Sequence, residues 1–390
     1  MSEQPPLSGR RVVEVLATSA GGVGTHVRAL VAPLHEAGAD VGVCGAPATE
    51  ELFAFTATGA DFTPVGISSG MAPLADARAV LQLRRAIAGA DLVHAHGLRA
   101  GLVAAAALRL PGQGGPGRQG FPGSRPPLVL TLHNALQEGG GRLRSAWQAL
   151  ERVTVRGADL VLAVSSDLAA NARSAGARDV RVAPALAPPL APATRGRDEV
   201  RAELGLPEGR PLVVAVGRLH PQKGYDTLLD AVRRWTEREA PPLVAIAGDG
   251  PLRDELAARI AAERLPVVLL GRRGDVADLL GAADVCVLPS RWEGSPFTAQ
   301  EALRAGTPLV ATRGGGTPEL VGEAAELVPV GDDAALADAL ERVLTDPDRA
   351  AALAEAGRRR AEEWPDEAGA GRRVVAVYRE LLGPPAAPLP

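Results

Sequence analysis

Residues 293–301 read EGSPFTAQE, two glutamates around Gly294, Ser295 and Pro296. Such a pair could be an acid/base dyad, a metal site or two charges on a solvated helix face. Proline suits the first position of a helix and not its interior, so the spacing predicts a helix that starts at Pro296 with Ser295 as its N-cap. Glu293 then falls in a loop and Glu301 on the helix, on the face of Phe297 and Thr298. The backbone N–H groups of Phe297 and Thr298, at the helix start, are free to bind anions or polar oxygens. PLVATRGGGTPELV repeats the design: a strand, the turn Gly314-Gly315-Gly316, Thr317 as expected N-cap and Pro318 as first helical residue. In VGRLHPQKG, Arg218 ends a strand and Lys223 lies in the loop beyond it, two cations suited to a diphosphate. Gly21-Gly22 is a further predicted turn between a strand and a helix.

These residues need elements to hold them. Short apolar runs alternate with helical periods: VVEVLAT (12–18), DVGVCG (40–45), DLVHAHG (91–97), PLVLTLHN (127–134) and DLVLAVSS (159–166). A proline- and alanine-rich stretch, 179–197, reads as a linker. A second series follows: PLVVAVGR, PLVAIAGDG, VVLLGRR, DVCVLPS and PLVATRGGG. The alternation predicts an α/β protein of two doubly wound, Rossmann-like domains facing a cleft, with ligands off the carboxyl ends of the strands. The expected boundaries are 1–186 for the first domain, 187–365 for the second, and 366–390 for a last helix that packs back on the first domain and ends in a disordered tail. The Gly/Pro-rich stretch 111–127 is expected to be a disordered insertion rather than a lid over the acceptor.

Composition narrows the function classes. The chain has 390 residues and a net charge of −4, which argues against a nucleic-acid binder. Residues 84–156 carry ten arginines against three carboxylates, read either as a solvated surface or as a docking face for an anionic acceptor or a membrane. The apolar run near the N-terminus suits a buried strand better than a signal peptide, and no run is long enough to span a bilayer. Cys44 and Cys286 sit in apolar runs and read as buried thiols, which points to a reducing, cytoplasmic setting. His94 and His96 in VHAHG share a strand face, but the sequence places no carboxylate or third histidine to join them, and no metal is expected. Asp346-Pro347-Asp348 reads as a turn and N-cap rather than a metal-binding D-x-D.

In their order, GGVGTHVRAL, VGRLHPQKGYDTLLDA, AGDGPLRDEL and DVCVLPSRWEGSPFTAQEALRAGTPLVATRGGGTPELV resemble the retaining, GT-B-fold glycosyltransferases of family four. The resemblance implies an acceptor-binding first domain and a donor-binding second domain. It implies transfer of a sugar, without a metal or other cofactor, from a nucleoside-diphosphate donor, uridine being the expected base. The acceptor would be a small molecule, a glycan or a lipid-linked hydroxyl, with peripheral contact at the inner membrane face as one option. Arg218 and Lys223 would hold the diphosphate and Glu301 the ribose. Glu293, with Gly294, Ser295 and the amides of Phe297 and Thr298, would hold the sugar. Gly21 and Gly22 would close on the phosphates. His133, in TLHN, matches the family's T-x-H and would lie near the attacking oxygen. Two departures stand out: VAPALAPPL replaces a Pro-Asn-Gly turn at the domain crossing, and EGSPF replaces the common EGF. An epimerase acting on a sugar nucleotide, or a non-catalytic sugar-nucleotide-binding subunit, are the alternative readings.

Overall fold

Valine, leucine and isoleucine crowd the apolar runs because each lies in a parallel sheet covered on both faces. The computed structural model describes residues 5–19, 21–68, 70, 72–110, 125–135, 142–236 and 239–383. The strands are β1 (Arg11–Leu16), β2 (Asp40–Gly45), β3 (Asp61–Pro64), β4 (Leu92–His96), β5 (Leu128–Leu132), β6 (Leu160–Ala163) and β7 (Val180–Val182) in the first half. The second half holds β8 (Leu212–Val216), β9 (Leu243–Ala247), β10 (Val267–Gly271), β11 (Val285–Leu288), β12 (Leu309–Thr312) and β13 (Glu326–Val328). The sheet orders are β3-β2-β1-β4-β5-β6-β7 and β10-β9-β8-β11-β12-β13. Both sheets reverse direction of winding once, between β1 and β4 and between β8 and β11. In a doubly wound sheet this is where ligands settle, off the carboxyl ends of the strands.

Each half closes its own core. In the first, Val12 and Leu16 of β1 pack with Val27, Leu30 and Val31 of the helix Gly22–Glu36 and with Val375 and Tyr378 of the last helix, Glu367–Leu382. In the second, Val213, Ile246, Val285 and Val310 meet Tyr225, Leu228 and Trp235 on one face. Leu212, Val214 and Ala245 meet Val200 and Leu279 on the other. The chain divides into one compact unit of residues 1–188 plus 365–390 and another of 189–364, so the last helix belongs to the first unit.

The structure corrects several local readings. The stretch 179–197 is a linker only in its middle. Its start is the edge strand β7, and its end is tied down where the amides of Thr194 and Arg195 donate to Asp278 Oδ1 at 2.7 and 3.2 Å. Ser295 is not a helix cap: the helix runs Phe297–Ala305 with Pro296 at the N-cap, and Ser295 instead accepts from Gln300 Nε2 at 3.2 Å. Thr317 is the first residue of its helix, behind Gly316. Asp346 does cap a helix, accepting from the Arg349 amide at 3.0 Å.

The arginine excess of 84–156 is also less of a surface than the count suggests. Arg99 is buried and paired with Asp76, and Arg125 is paired with Asp159 at 2.7 Å, both partners lying outside that window. Most of the insertion 111–127 and the tail 384–390 lie outside the described residues. No helix among the described residues is long and apolar enough to cross a membrane.

Candidate active site

In the second unit, four loops meet at the carboxyl ends of β8 and β11. After β8 come Arg218, exposed, and a short 3-10 turn, Pro221–Lys223. Gly224 follows at φ +64°, where an added Cβ would lie 2.1 Å from the Pro289 carbonyl oxygen, so only glycine lets this turn lie against the end of β11. The Arg291 amide donates to the Gln222 carbonyl at 2.8 Å, and Gln222 Nε2 donates to the Trp292 carbonyl at 2.9 Å. Thr298, at the start of the helix Phe297–Ala305, donates its hydroxyl to the Val216 carbonyl at 3.0 Å. The third loop, GDG after β9, accepts from the Leu219 amide through the Asp249 carbonyl at 3.0 Å. The fourth is the glycine turn after β12, which presses on Glu293: the Gly316 amide donates to the Glu293 carbonyl at 2.8 Å. Gly315 has φ +60°, and a Cβ there would lie 2.1 Å from that carbonyl oxygen.

The candidate residues divide by this frame. Lys223 Nζ donates to Glu293 Oε1 at 2.6 Å, and Ser290 Oγ donates to the same oxygen at 2.6 Å. Glu293 is buried and Lys223 half-buried, so the sugar-holding glutamate and the phosphate-holding lysine of the sequence reading form one ion pair. Lysine has three N–H donors, so the pair leaves donors for a phosphate oxygen. Arg218 makes no ion pair among the described residues. Its charge and that of Lys223, after burial, hold the neighbouring His220 imidazole below its usual range, and His220 Nδ1 accepts from the Gln222 amide at 3.3 Å. The amides of Phe297 and Thr298 begin the helix, whose first internal bond runs from Gln300 to Pro296. Gly294 is buried beside them. Burial raises the Glu301 carboxyl above the usual range against the opposing pull of Arg304 and Lys223. Ser290, Gln222 and Trp292 escaped the sequence reading; each is fixed by a backbone approach that no spacing reveals.

The first unit has a second cluster at its own switch point. Gly21 caps the helix after β1, and Gly22 is its first residue, not part of the turn. His133 follows β5 and lies with Nε2 3.1 Å from His96 Nδ1. His96 Nε2 donates to Glu14 Oε2 at 2.7 Å, and the Tyr378 hydroxyl donates to Glu14 Oε1 at 2.8 Å. His94 Nδ1 lies 2.6 Å from that hydroxyl and its Nε2 lies 2.6 Å from Thr131 Oγ1. His94 and His96 do share a strand face, but the expectation that no carboxylate or third histidine joins them is overturned. Glu14 on the neighbouring strand and His133 both reach them, and His26 stands edge-on to His96 and His133, with ring centroids 5.7 and 5.3 Å away. Glu14, His94 and His96 form one group able to share a metal ion, and His26, His96 and His133 another.

Burial favours an uncharged Glu14, but the charge and hydrogen bonds of His94 and His96 outweigh it and hold the carboxyl well below the usual range. Burial, with the neighbouring imidazoles, lowers His26 to about 3 and His96 to about 4, and lowers His133 as well. Cys44 and Cys286 are buried, and burial pushes both thiols up to about 12, so neither is a ready nucleophile at neutral pH.

Comparison with known proteins supplies what geometry alone leaves open. Residues 196–360 match the family model of glycosyl transferases group 1, and residues 20–185 match that of glycosyltransferase family 4. The alpha-maltose-1-phosphate synthase of Mycolicibacterium smegmatis is 32% identical over 93% of this chain and 96% of its own length. A D-inositol 3-phosphate glycosyltransferase of Corynebacterium urealyticum is 33% identical over 65% of this chain and 64% of its own length. Among solved structures, Anabaena HepE in complex with UDP-glucose superposes with a TM-score of 0.77 at 22% identity, over 95% of this chain and 99% of that one. The two doubly wound sheets are those of the GT-B fold, and the chain belongs to the glycosyltransferases of group 1, family four.

Proposed function

We propose that the protein transfers a sugar from a nucleoside-diphosphate donor, with uridine as the base, to an acceptor hydroxyl with retention of anomeric configuration and without a metal in the transfer step. The observation that carries this reading is the Lys223–Glu293 pair at 2.6 Å, held where the loops after β8, β11 and β12 meet. A diphosphate leaves only when its growing charge is met, and preorganised cations and amides do this at least cost. Arg218 and Lys223 take that role. Glu301 holds the ribose. Glu293, Gly294 and Ser295, with the amides of Phe297 and Thr298, hold the sugar hydroxyls. The first unit's contribution to the reaction is assigned to His133, for the acceptor hydroxyl, and to the Gly21-Gly22 turn, for the phosphates. Solved structures of HepE with UDP and with UDP-glucose support uridine as base. The relatives' names, one a synthase of a sugar phosphate and one acting on an inositol phosphate, support a phosphorylated polyol or sugar as acceptor. Unit 1 is then the acceptor side and unit 2 the donor side of a cytoplasmic enzyme.

The test is a matrix of UDP-, GDP- and ADP-linked sugars against phosphorylated and free sugar acceptors, with the product anomer read by the H1–H2 coupling in proton NMR. An α-linked product from an α-linked UDP donor is expected. A β-linked product refutes retention. Isomerised sugar nucleotide without acceptor points to an epimerase instead.

A further inference from the structure

Four of the chain's six histidines, at 26, 94, 96 and 133, gather around one buried carboxylate. Proton transfer or donor binding in the second unit does not require such a concentration. We propose that His26, His96 and His133 form a binding site for a divalent transition-metal ion of the zinc class, with Glu14 as the carboxylate behind His96.

Three observations carry it. First, the ligand atoms of the three imidazoles all lie within 4.8 Å of one another, and His96 Nδ1 and His133 Nε2 are 3.1 Å apart. Tetrahedral zinc with bonds of about 2.0–2.1 Å needs ligand atoms about 3.4 Å apart, so one pair is already near that spacing and His26 has a short swing to complete the set. The ring nitrogens of His26 have no hydrogen-bond partner among the described residues.

Second, the far nitrogen of His96 donates to Glu14 at 2.7 Å. This fixes the tautomer that leaves Nδ1 as a lone pair facing His133. A carboxylate behind a histidine is the arrangement that orients metal-binding imidazoles and raises their basicity. Glu14 is itself fixed by Tyr378 from the last helix, so its geometry does not depend on the metal.

Third, a buried carboxylate whose ion pairs among the described residues are to histidines alone favours a cation close by. The imidazoles offer neutral nitrogen, the ligand of zinc, copper, nickel and cobalt rather than of magnesium or calcium. Three protein ligands leave a fourth position open, and the half-buried His26 marks the side on which it opens.

Occupancy ties up His133, so the metal inhibits transfer rather than assisting it. That last clause rests on the role proposed for His133; the binding itself does not.

The experiment uses the full, tag-free chain after dialysis against EDTA, titrated with Co2+ in the absence of any sugar nucleotide. The expected result is the intense visible absorption of tetrahedral cobalt at one ion per chain, bleached by added Zn2+. His26→Ala, at a half-buried position, is expected to weaken binding at least tenfold. Glu14→Gln is expected to weaken it by about 10–100-fold, as loss of such a supporting carboxylate does. Weak absorption of six-coordinate cobalt, or affinity unchanged in both His26→Ala and His133→Ala, overturns the proposal. His26→Ala keeps the test open should Glu14→Gln fail to fold. Zinc inhibition of transfer that vanishes in His26→Ala supports the inhibitory role. Binding with no inhibition overturns that role and leaves the site standing.

Discussion

Replacing Lys223 by alanine removes a charge that has two tasks. At 2.6 Å from Glu293 Oε1, in surroundings of effective dielectric near 20, the raw attraction is about 6 kcal/mol. Most of it offsets the cost of taking both charges out of water. Breaking a fully buried pair costs about 3–5 kcal/mol, and Lys223 keeps about a fifth of its side chain in solvent, so we expect a loss of about 2 kcal/mol. That corresponds to a fall in Tm of about 5 °C for a unit of this size. Glu293→Gln in the same chain removes the stranded charge and is expected to restore most of the Tm. Turnover follows another course. If Lys223 meets the leaving diphosphate, its loss costs at least a hundredfold in kcat, about 3 kcal/mol, and Glu293→Gln does not bring it back. Differential scanning fluorimetry and steady-state release of the nucleoside diphosphate measure the two effects separately. A folded Lys223→Ala protein with unchanged kcat refutes the leaving-group role. A double variant no more stable than Lys223→Ala refutes the account of the pair.

Two further outcomes follow from the same loops. Gly315→Ala forces a Cβ to within 2.1 Å of the Glu293 carbonyl oxygen at φ +60°, so the β12 turn must move; we expect a loss of about 1–3 kcal/mol in stability and a raised KM for the donor, measured by thermal unfolding and initial rates. Glu301, raised by burial, favours the protonated form in the folded state, so its contribution to stability is full below the ordinary carboxylate pKa and is lost as pH rises through its raised value. Glu301→Gln is therefore expected to be no less stable than the parent at pH 7 while binding donor more weakly, and the parent's donor affinity is expected to fall with acidification at a higher pH than for an ordinary glutamate. Calorimetry of nucleotide binding across pH checks both, and a lower Tm for Glu301→Gln at pH 7 counts against the sign.

The fold was legible wherever a strand was long and central. LVVAV, LVAIA and VCVL are apolar on both faces because helices cover both faces, and the period of helix and strand between them leaves few other topologies. The strands that escaped notice, β3, β7 and β13, are edge strands of three or four residues, and β3 even ends in Pro64. Edges bury one face and carry little pattern. The second unit's candidate residues were legible because they follow one another along the chain, each just beyond a strand. Their meeting depends on glycines at Gly224 and Gly315 that allow backbones to touch. The first unit's cluster was illegible for the opposite reason. Glu14 reads as a single polar residue in an apolar strand, and its partners stand 80, 82 and 364 residues away, on other elements. The one available signal was the charge itself, since a glutamate amid VVEVL must find partners once buried.

The bond from Tyr378 to Glu14 spans nearly the whole chain, and it makes the first unit discontinuous. During synthesis the second unit has all its strands before the first has its last helix. A ribosome-bound chain therefore completes its folding in reverse order of its numbering: residues 189–364 can close while Glu14 still waits for its hydroxyl donor. Chains that stop short of residue 365 carry a finished second unit and a first unit with an open apolar face and a buried carboxylate oxygen that lacks its tyrosine donor. Such products expose apolar surface and are natural targets for chaperones and proteases.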